Sequence, residues 1–131
     1  MSQENVDLAR HAFDAFNRRD RDAFLALMDD DVEAESRLVA FEGGYHGHEG
    51  VIRWWNSVLD IFPDYTLEVE EPRDLGDVTL TRFLARGHAA GSNTPLVDPA
   101  WIAGRWRDGK CLWWRICSTE AEALEAVGLS E

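Results

Sequence analysis

AWIAGRWRDGKCLWWRIC, residues 100–117, decides the fold. Arg107-Asp108-Gly109-Lys110 stands between two runs rich in Trp, Ile, Leu and Cys, which makes it a tight hairpin turn. Strands are therefore expected over 100–107 and 111–118. Upstream, a Gly-, Ser-, Asn-, Pro- and Asp-rich loop spans 91–99, and 78–90 reads as a longer strand. Asp74-Leu75-Gly76-Asp77 supplies the turn before it. Tyr65, Leu67 and Val69 alternate with Thr66, Glu68 and Glu70, the period of a half-buried strand.

Helices precede these strands. Ser2 is placed to cap a first helix whose apolar stripe is Val6, Ala9, Phe13 and Phe16. Asn17-Arg18-Arg19-Asp20 interrupts the pattern, and Asp20 caps a second helix carrying Ala23, Phe24, Leu27 and Met28. Asp29-Asp30-Asp31 opposes the macrodipole at that helix's C-terminus and stops it. Val32 to Val39 reads as a strand, and Phe41 to Gly44 as a turn. A third helix runs from near His48 to about Phe62, with Val51, Trp55, Val58 and Phe62 on one face, and Pro63 closes it. Ser118 is expected to cap a short C-terminal helix through Ala126, which stops at Gly128. Three helices with one strand inserted, then four antiparallel strands, make an α+β fold.

Length and charge narrow the function classes. The chain has 131 residues, the size of one domain (1–131), with 45% hydrophobic and 29% charged side chains. Thirteen basic against twenty-five acidic residues give a net charge of −12, which repels phosphate backbones and anionic lipid. Nucleic acid and membrane are therefore not the expected partners. The start, MSQENVDLAR, has neither the basic residues nor the apolar stretch of a signal peptide, so a cytoplasmic location is expected. Cys111 and Cys117 share strand parity by count and would lie about 20 Å apart, beyond disulfide reach, so two free thiols are expected.

The order of elements resembles the cone shared by nuclear transport factor 2, ketosteroid isomerases and SnoaL-like polyketide cyclases. The resemblance is carried by FDAFNRRD (13–20), DDVE (30–33), YHGHEGVIRWW (45–55), GRWRDGK (104–110) and AEALEAVGL (121–129). It implies an NTF2-like cone: three N-terminal helices packed on a curved, mostly antiparallel sheet, with a short C-terminal helix. It also implies a pocket open at one end, and dimers that meet through the outer sheet face. The fold hosts isomerases, cyclases, dehydratases, epoxide hydrolases and proteins without activity, so function has to be read from the site.

The isomerase branch sets an aspartate base against an oxyanion hole made by a tyrosine and a protonated aspartic acid, an arrangement the chemistry of enolisation requires. Carried over without gaps, the tyrosine falls on Ala12, the base on Ser36 and the acid near Ile102. None supplies the group. The catalytic candidates are Ser36 itself and, with a one-residue slip, Glu35, although the pleat turns Glu35 away if Ala34 and Ser36 face the pocket. The cyclase branch also needs an acid–base residue, yet 100–107 and 111–118 hold no carboxylate, and Asp98 reads as a loop cap. Epoxide hydrolases of the fold join two aspartates through an arginine; Arg82 and Arg86 have no interleaved aspartate.

The remaining polar candidates point elsewhere. His46-Gly47-His48 has a ligand-like spacing but no third ligand in suitable geometry, and His88 shares parity with Arg82, Leu84 and Arg86. No metal and no cofactor is expected, because the glycines at 43, 44, 47 and 50 lack the context of a nucleotide loop. Arg82, Arg86, Arg105 and Arg115 form either a salt-bridge ladder with Glu68 and Glu70 or an anion site. The aromatic set is the expected pocket: Phe13, Phe16, Trp54, Trp55, Phe62, Trp106 and Trp114, with Ile102 and Gly104. These side chains serve equally as plain core or as pocket wall. Gly104 leaves room for a ligand or admits a close approach. The function expected is a pocket protein for a small, largely apolar organic molecule, with cofactor-free isomerase, cyclase or dehydratase chemistry unassigned. The alternative is a non-catalytic ligand-binding or dimerisation module.

Overall fold

The computed structural model describes residues 2–36 and 44–128. Helix α1 (Ser2–Asn17) buries Val6, Ala9, Ala12, Phe13, Ala15 and Phe16. The cap expected from the Ser2 side chain lies outside the described residues. At the end of α1 Arg19 adopts φ 62°, and its guanidinium folds back over the Phe16 ring (5.3 Å to the centroid) and donates to the carbonyl of Tyr65 at 2.6 Å. Asp20 caps α2 (Arg21–Ala26) by accepting from Ala23 N at 3.1 Å.

Strand β1 (Met28–Glu35) begins where the sequence pattern placed the end of the second helix. Met28 is buried opposite Cys111, and Cys111 N donates to Leu27 O at 2.7 Å, so pairing captures the chain before the acidic run. Asp29, Asp30 and Asp31 thus belong to a strand, not to a helix end. Residues 37–39 of the expected strand, and 41–43 of the expected turn, lie outside the described residues. Tyr45–His46 forms a two-residue β2 against Ala34 and Glu33. Helix α3 (Gly47–Ile61) buries Val51, Trp54, Trp55 and Val58 and ends just before Pro63.

Strand β3 (Thr66–Val69) pairs with β5 (Val78–His88), and Arg73–Asp74, expected within a turn, forms a short β4 against Leu80 and Thr79. Strand β6 (Pro95–Arg107) starts inside the expected 91–99 loop, since Pro95 to Pro99 pair with His88 to Leu84. Asp108 and Gly109 both take positive φ, 54° and 81°, as a type I′ hairpin turn demands. After β7 (Lys110–Cys117) comes α4 (Glu120–Ala126), whose N-cap is Thr119 rather than Ser118: Thr119 Oγ1 accepts from Glu122 N at 3.1 Å.

The seven strands among the described residues form one curved, unclosed sheet ordered β2-β1-β7-β6-β5-β3, with β4 on β5. All strand pairs are antiparallel except β1 with β7, which run parallel. One bulge sets the orientation of β7. Trp106 faces Cys111 while Arg105 faces Trp113, so Leu112 is an extra residue and parity reverses there. Cys111 consequently joins the inner core under the helices, whereas Cys117 joins an outer cluster with Leu80, Ala103, Ala123 and Leu124 beneath α4. The parity shared by count is lost, and both cysteines are buried and not joined in a disulfide.

The free edge of β3 is closed by a side chain. Asn17 accepts from Leu67 N at 2.9 Å and donates to Leu67 O at 2.8 Å, acting as a substitute strand residue. Asn17→Ala removes both bonds and leaves a half-buried amide pair unmet, so a loss of about 2 kcal/mol is expected. The urea midpoint should fall by about 1 M. An unchanged midpoint would contradict this role for Asn17.

Candidate functional site

The inner face of the sheet and the helices enclose a cavity. Its wall is assembled from Ala9, Ala12, Phe13 and Phe16 of α1, Phe24 of α2, Met28 of β1 and Trp54 of α3. The sheet contributes Leu67 from β3, Thr79, Thr81 and Phe83 from β5, Ile102, Gly104 and Trp106 from β6, and Cys111, Trp114 and Ile116 from β7, with Tyr65 beside them. Aromatic rings occupy most of the cone. Trp54 meets Trp114 edge-on at 4.8 Å, stacks on Phe24 at 6.2 Å and tilts against Phe16 at 5.6 Å. What remains is a cavity of about 50 Å³. One water needs about 10–15 Å³ on this scale, and a benzene-binding cavity in a well-studied lysozyme variant measures about 150 Å³.

Seven of the nine aromatic, aliphatic and glycine positions singled out from the sequence meet in this wall: Phe13, Phe16, Trp54, Ile102, Gly104, Trp106 and Trp114. Trp55 and Phe62 do not. Trp55 lies in the core with its ring edge-on to Phe16 at 4.9 Å, and Phe62 packs on Tyr65 at 6.0 Å. Gly104 serves a close approach: a Cβ there would stand 3.3 Å from the Trp106 indole nitrogen and 3.6 Å from Thr79 Oγ1, which bond each other at 2.9 Å.

Neither catalytic candidate reaches the cavity wall. Ala34 turns inward opposite Trp114, and Glu35 turns outward opposite Arg115. There Glu35 accepts from Trp113 Nε1 at 3.0 Å and pairs with Arg115 at 3.5 Å. Ser36 is half-buried after the last residue of β1. Ala12 and Ile102, the positions equivalent to the isomerase tyrosine and acid, do line the cavity, but with apolar side chains. Among the described residues the wall carries no charged group. Its one cysteine, Cys111, has its thiol pushed up to about 12 by burial and is un-ionised at neutral pH.

The other polar groups settle outside. The arginine row is a ladder of surface ion pairs: Arg82 with Glu70 and Arg86 with Glu68, each at 2.8 Å, Arg105 with Asp77 at 3.0 Å, and Arg115 with Glu35 and Glu122. His88 bonds Asp64 through its ring at 2.8 Å, which holds the Asp64 carboxyl below its usual range. His46 lies against Glu33, and His48 Nε2 is 3.0 Å from Met28 O. No group of three or more His, Cys, Asp or Glu among the described residues is placed to hold a metal.

Sequence reasoning followed the outer parity of β5, through Arg82, Leu84 and Arg86, and so missed Thr79 and Thr81 on the inner one. The alternation that placed the arginines outside was the available signal. Thr81 matters because its hydroxyl is buried without a protein partner, as are the indole nitrogens of Trp54 and Trp114. Each such group costs about 1–3 kcal/mol when left unpaired.

Helices packed on a curved, unclosed sheet, with a cavity lined by aromatic rings between the two layers, define an α+β cone. The chain belongs to the SnoaL-like domain family, which matches residues 9–114. No curated protein matches the sequence. Among solved structures, an NTF2-like protein of unknown function from Burkholderia pseudomallei aligns at TM-score 0.80 and 22% identity, covering 95% of this chain and 97% of its own. IdmH of Streptomyces antibioticus, a candidate polyketide cyclase, aligns at 0.75 and 24%, covering 94% and 97%. A candidate SnoaL-like polyketide cyclase from a Jannaschia species aligns at 0.78 and 20%, covering 98% and 91%. At these identities the likeness establishes the fold.

Thr81→Val keeps the shape of the side chain and removes the unpartnered hydroxyl. Thermal unfolding should therefore show a gain of about 1 kcal/mol, or about 3–5 °C in Tm. A fall in Tm would mean that the hydroxyl is satisfied in the folded protein.

Proposed function

We propose that the protein binds a small, largely apolar organic molecule inside the cone. The observation that carries this reading is the wall itself: aromatic and aliphatic side chains from both layers converge on one enclosed space, with few polar groups among them. The family supports it, because SnoaL-like and NTF2-like cones are typical of polyketide cyclase and isomerase-type pocket proteins. Cofactor-free isomerisation, cyclisation or dehydration needs an acid–base group, and the described wall carries no carboxylate and no histidine. Binding is therefore the function proposed, and the ketosteroid isomerase reaction is not. Two buried thiols on opposite faces of the sheet, not joined in a disulfide, support a reducing, cytoplasmic setting.

At about 50 Å³ the cavity is about a third of the size that holds benzene in the lysozyme variant, so a ring enters only if side chains of the wall, Trp54 and Trp114 among them, give way. Small cyclic compounds should therefore change tryptophan emission as well as stability. At a hundredfold excess over Kd a ligand stabilises by about 2.7 kcal/mol, a Tm rise of several degrees. Ala12→Phe fills the α1 side of the wall and should abolish both responses while circular dichroism stays unchanged. A panel of neutral ring compounds that shifts neither emission nor Tm would refute the reading.

The outer sheet face supports a homodimer. Leu84, Val97, Pro99 and Trp101 lie there between the Arg82–Glu70 and Arg86–Glu68 pairs, and Val97 is 50% exposed. A strip carrying both signs around an apolar centre is complementary to itself under two-fold symmetry. Sedimentation velocity should find about twice the 14.9 kDa chain mass at micromolar concentration, and Val97→Glu should return it to the single mass. A wild-type protein sedimenting only at 14.9 kDa would count against the dimer.

A further inference from the structure

The chemistry of the ligand can be taken further from the cavity's own polar atoms. Among the described residues, three buried side-chain N or O atoms have no hydrogen-bond partner: Trp54 Nε1, Trp114 Nε1 and Thr81 Oγ1. They come from three elements distant in sequence, and all three residues stand in the wall of the same cavity. The wall's other indole and threonine, Trp106 and Thr79, are bonded to each other at 2.9 Å. The unmet capacity thus belongs to residues of one wall, and two of them are the indoles that meet at 4.8 Å.

The direction of that capacity selects the ligand. An indole N–H only donates, and a threonine hydroxyl donates or accepts. The ligand must therefore accept. A carboxylate or phosphate accepts well, but the wall contains no cation to offset its charge, and the whole chain carries −12. An ammonium offers donors where donors already stand. A neutral carbonyl oxygen fits on both counts, since it carries two lone pairs and no charge.

We propose that Trp54, Trp114 and Thr81 are the polar recognition point of the cavity, selecting a neutral carbonyl compound with an apolar body. This rests on the pocket reading above and adds to it the functional group that the ligand must bear. The two tryptophans then have separate uses. Their rings form the apolar wall, and their N–H groups orient the oxygen.

The test uses the full chain with cyclohexanone, methylenecyclohexane and cyclohexanecarboxylate as probes, followed through the indole N–H signals of the six tryptophans in ¹H–¹⁵N spectra. Cyclohexanone should move the Trp54 and Trp114 signals downfield and leave Trp106, already bonded to Thr79, in place. Methylenecyclohexane, of the same shape without the acceptor, should bind without the downfield shift, and the carboxylate should not bind. Thr81→Val should weaken cyclohexanone about three- to tenfold and leave methylenecyclohexane unchanged or tighter. If ketone and hydrocarbon both bind but respond alike, in the spectra and to Thr81→Val, the recognition point is overturned while the pocket stands. Tighter binding of the carboxylate than of the ketone overturns it as well. If none of the probes moves any indole signal, the pocket reading falls and this inference with it. The wild-type spectra decide the matter even if the variant fails to fold.

Discussion

Trp54 against Trp114 is the contact on which the cone depends. One ring comes from α3 and the other from β7, and they meet edge-on at 4.8 Å between Phe24, Phe16 and the sheet. Edge-to-face rings gain from their quadrupoles as well as from buried area, so the pair fixes the distance between the layers as well as joining them. That distance leaves the cavity narrow. It also removes two indole N–H groups from solvent and gives them no protein acceptor.

The sheet then divides the chain's chemistry between its two faces. Thr79, Thr81, Phe83, Ile102, Gly104, Trp106 and Trp114 turn inward, while Arg82, Arg86, Arg105, Arg115 and Glu35 turn outward. The division is strict because a one-residue change in register would exchange the two sets. The extra residue at Leu112 makes the exchange once, deliberately placing Cys111 inside and Cys117 under α4. A strongly acidic chain can therefore keep an uncharged interior, with its ion pairs spread over the outside.

Much of this was legible in the sequence because it is local. The helical stripe of α1, the cap at Asp20, the stop at Pro63 and the Asp108-Gly109 turn each follow from a few adjacent residues, and the motifs 13–20 and 45–55 led from them to the fold. What escaped depends on partners far along the chain. Strand β1 begins at Met28 because β7 pairs with it, and the parallel sense of that pairing has no local signature. The bulge at Leu112 reversed the cysteine parity for the same reason. Within the site, the tryptophans were visible as an aromatic load, but whether an indole N–H finds an acceptor is decided only when the layers meet. Thr81 went unnoticed because threonine in a strand is ordinary until its burial is known.

On the function proposed above, the packed cone still holds an apolar space that a guest can enter. A crystal structure of the protein under xenon pressure tests this most directly, because xenon needs no hydrogen bond and little more room than the cavity offers. A xenon site is expected between Phe16, Trp54, Ile102 and Trp114, at well above half occupancy. Crystals that take up xenon elsewhere or not at all, with the two indoles closed on each other, would contradict it.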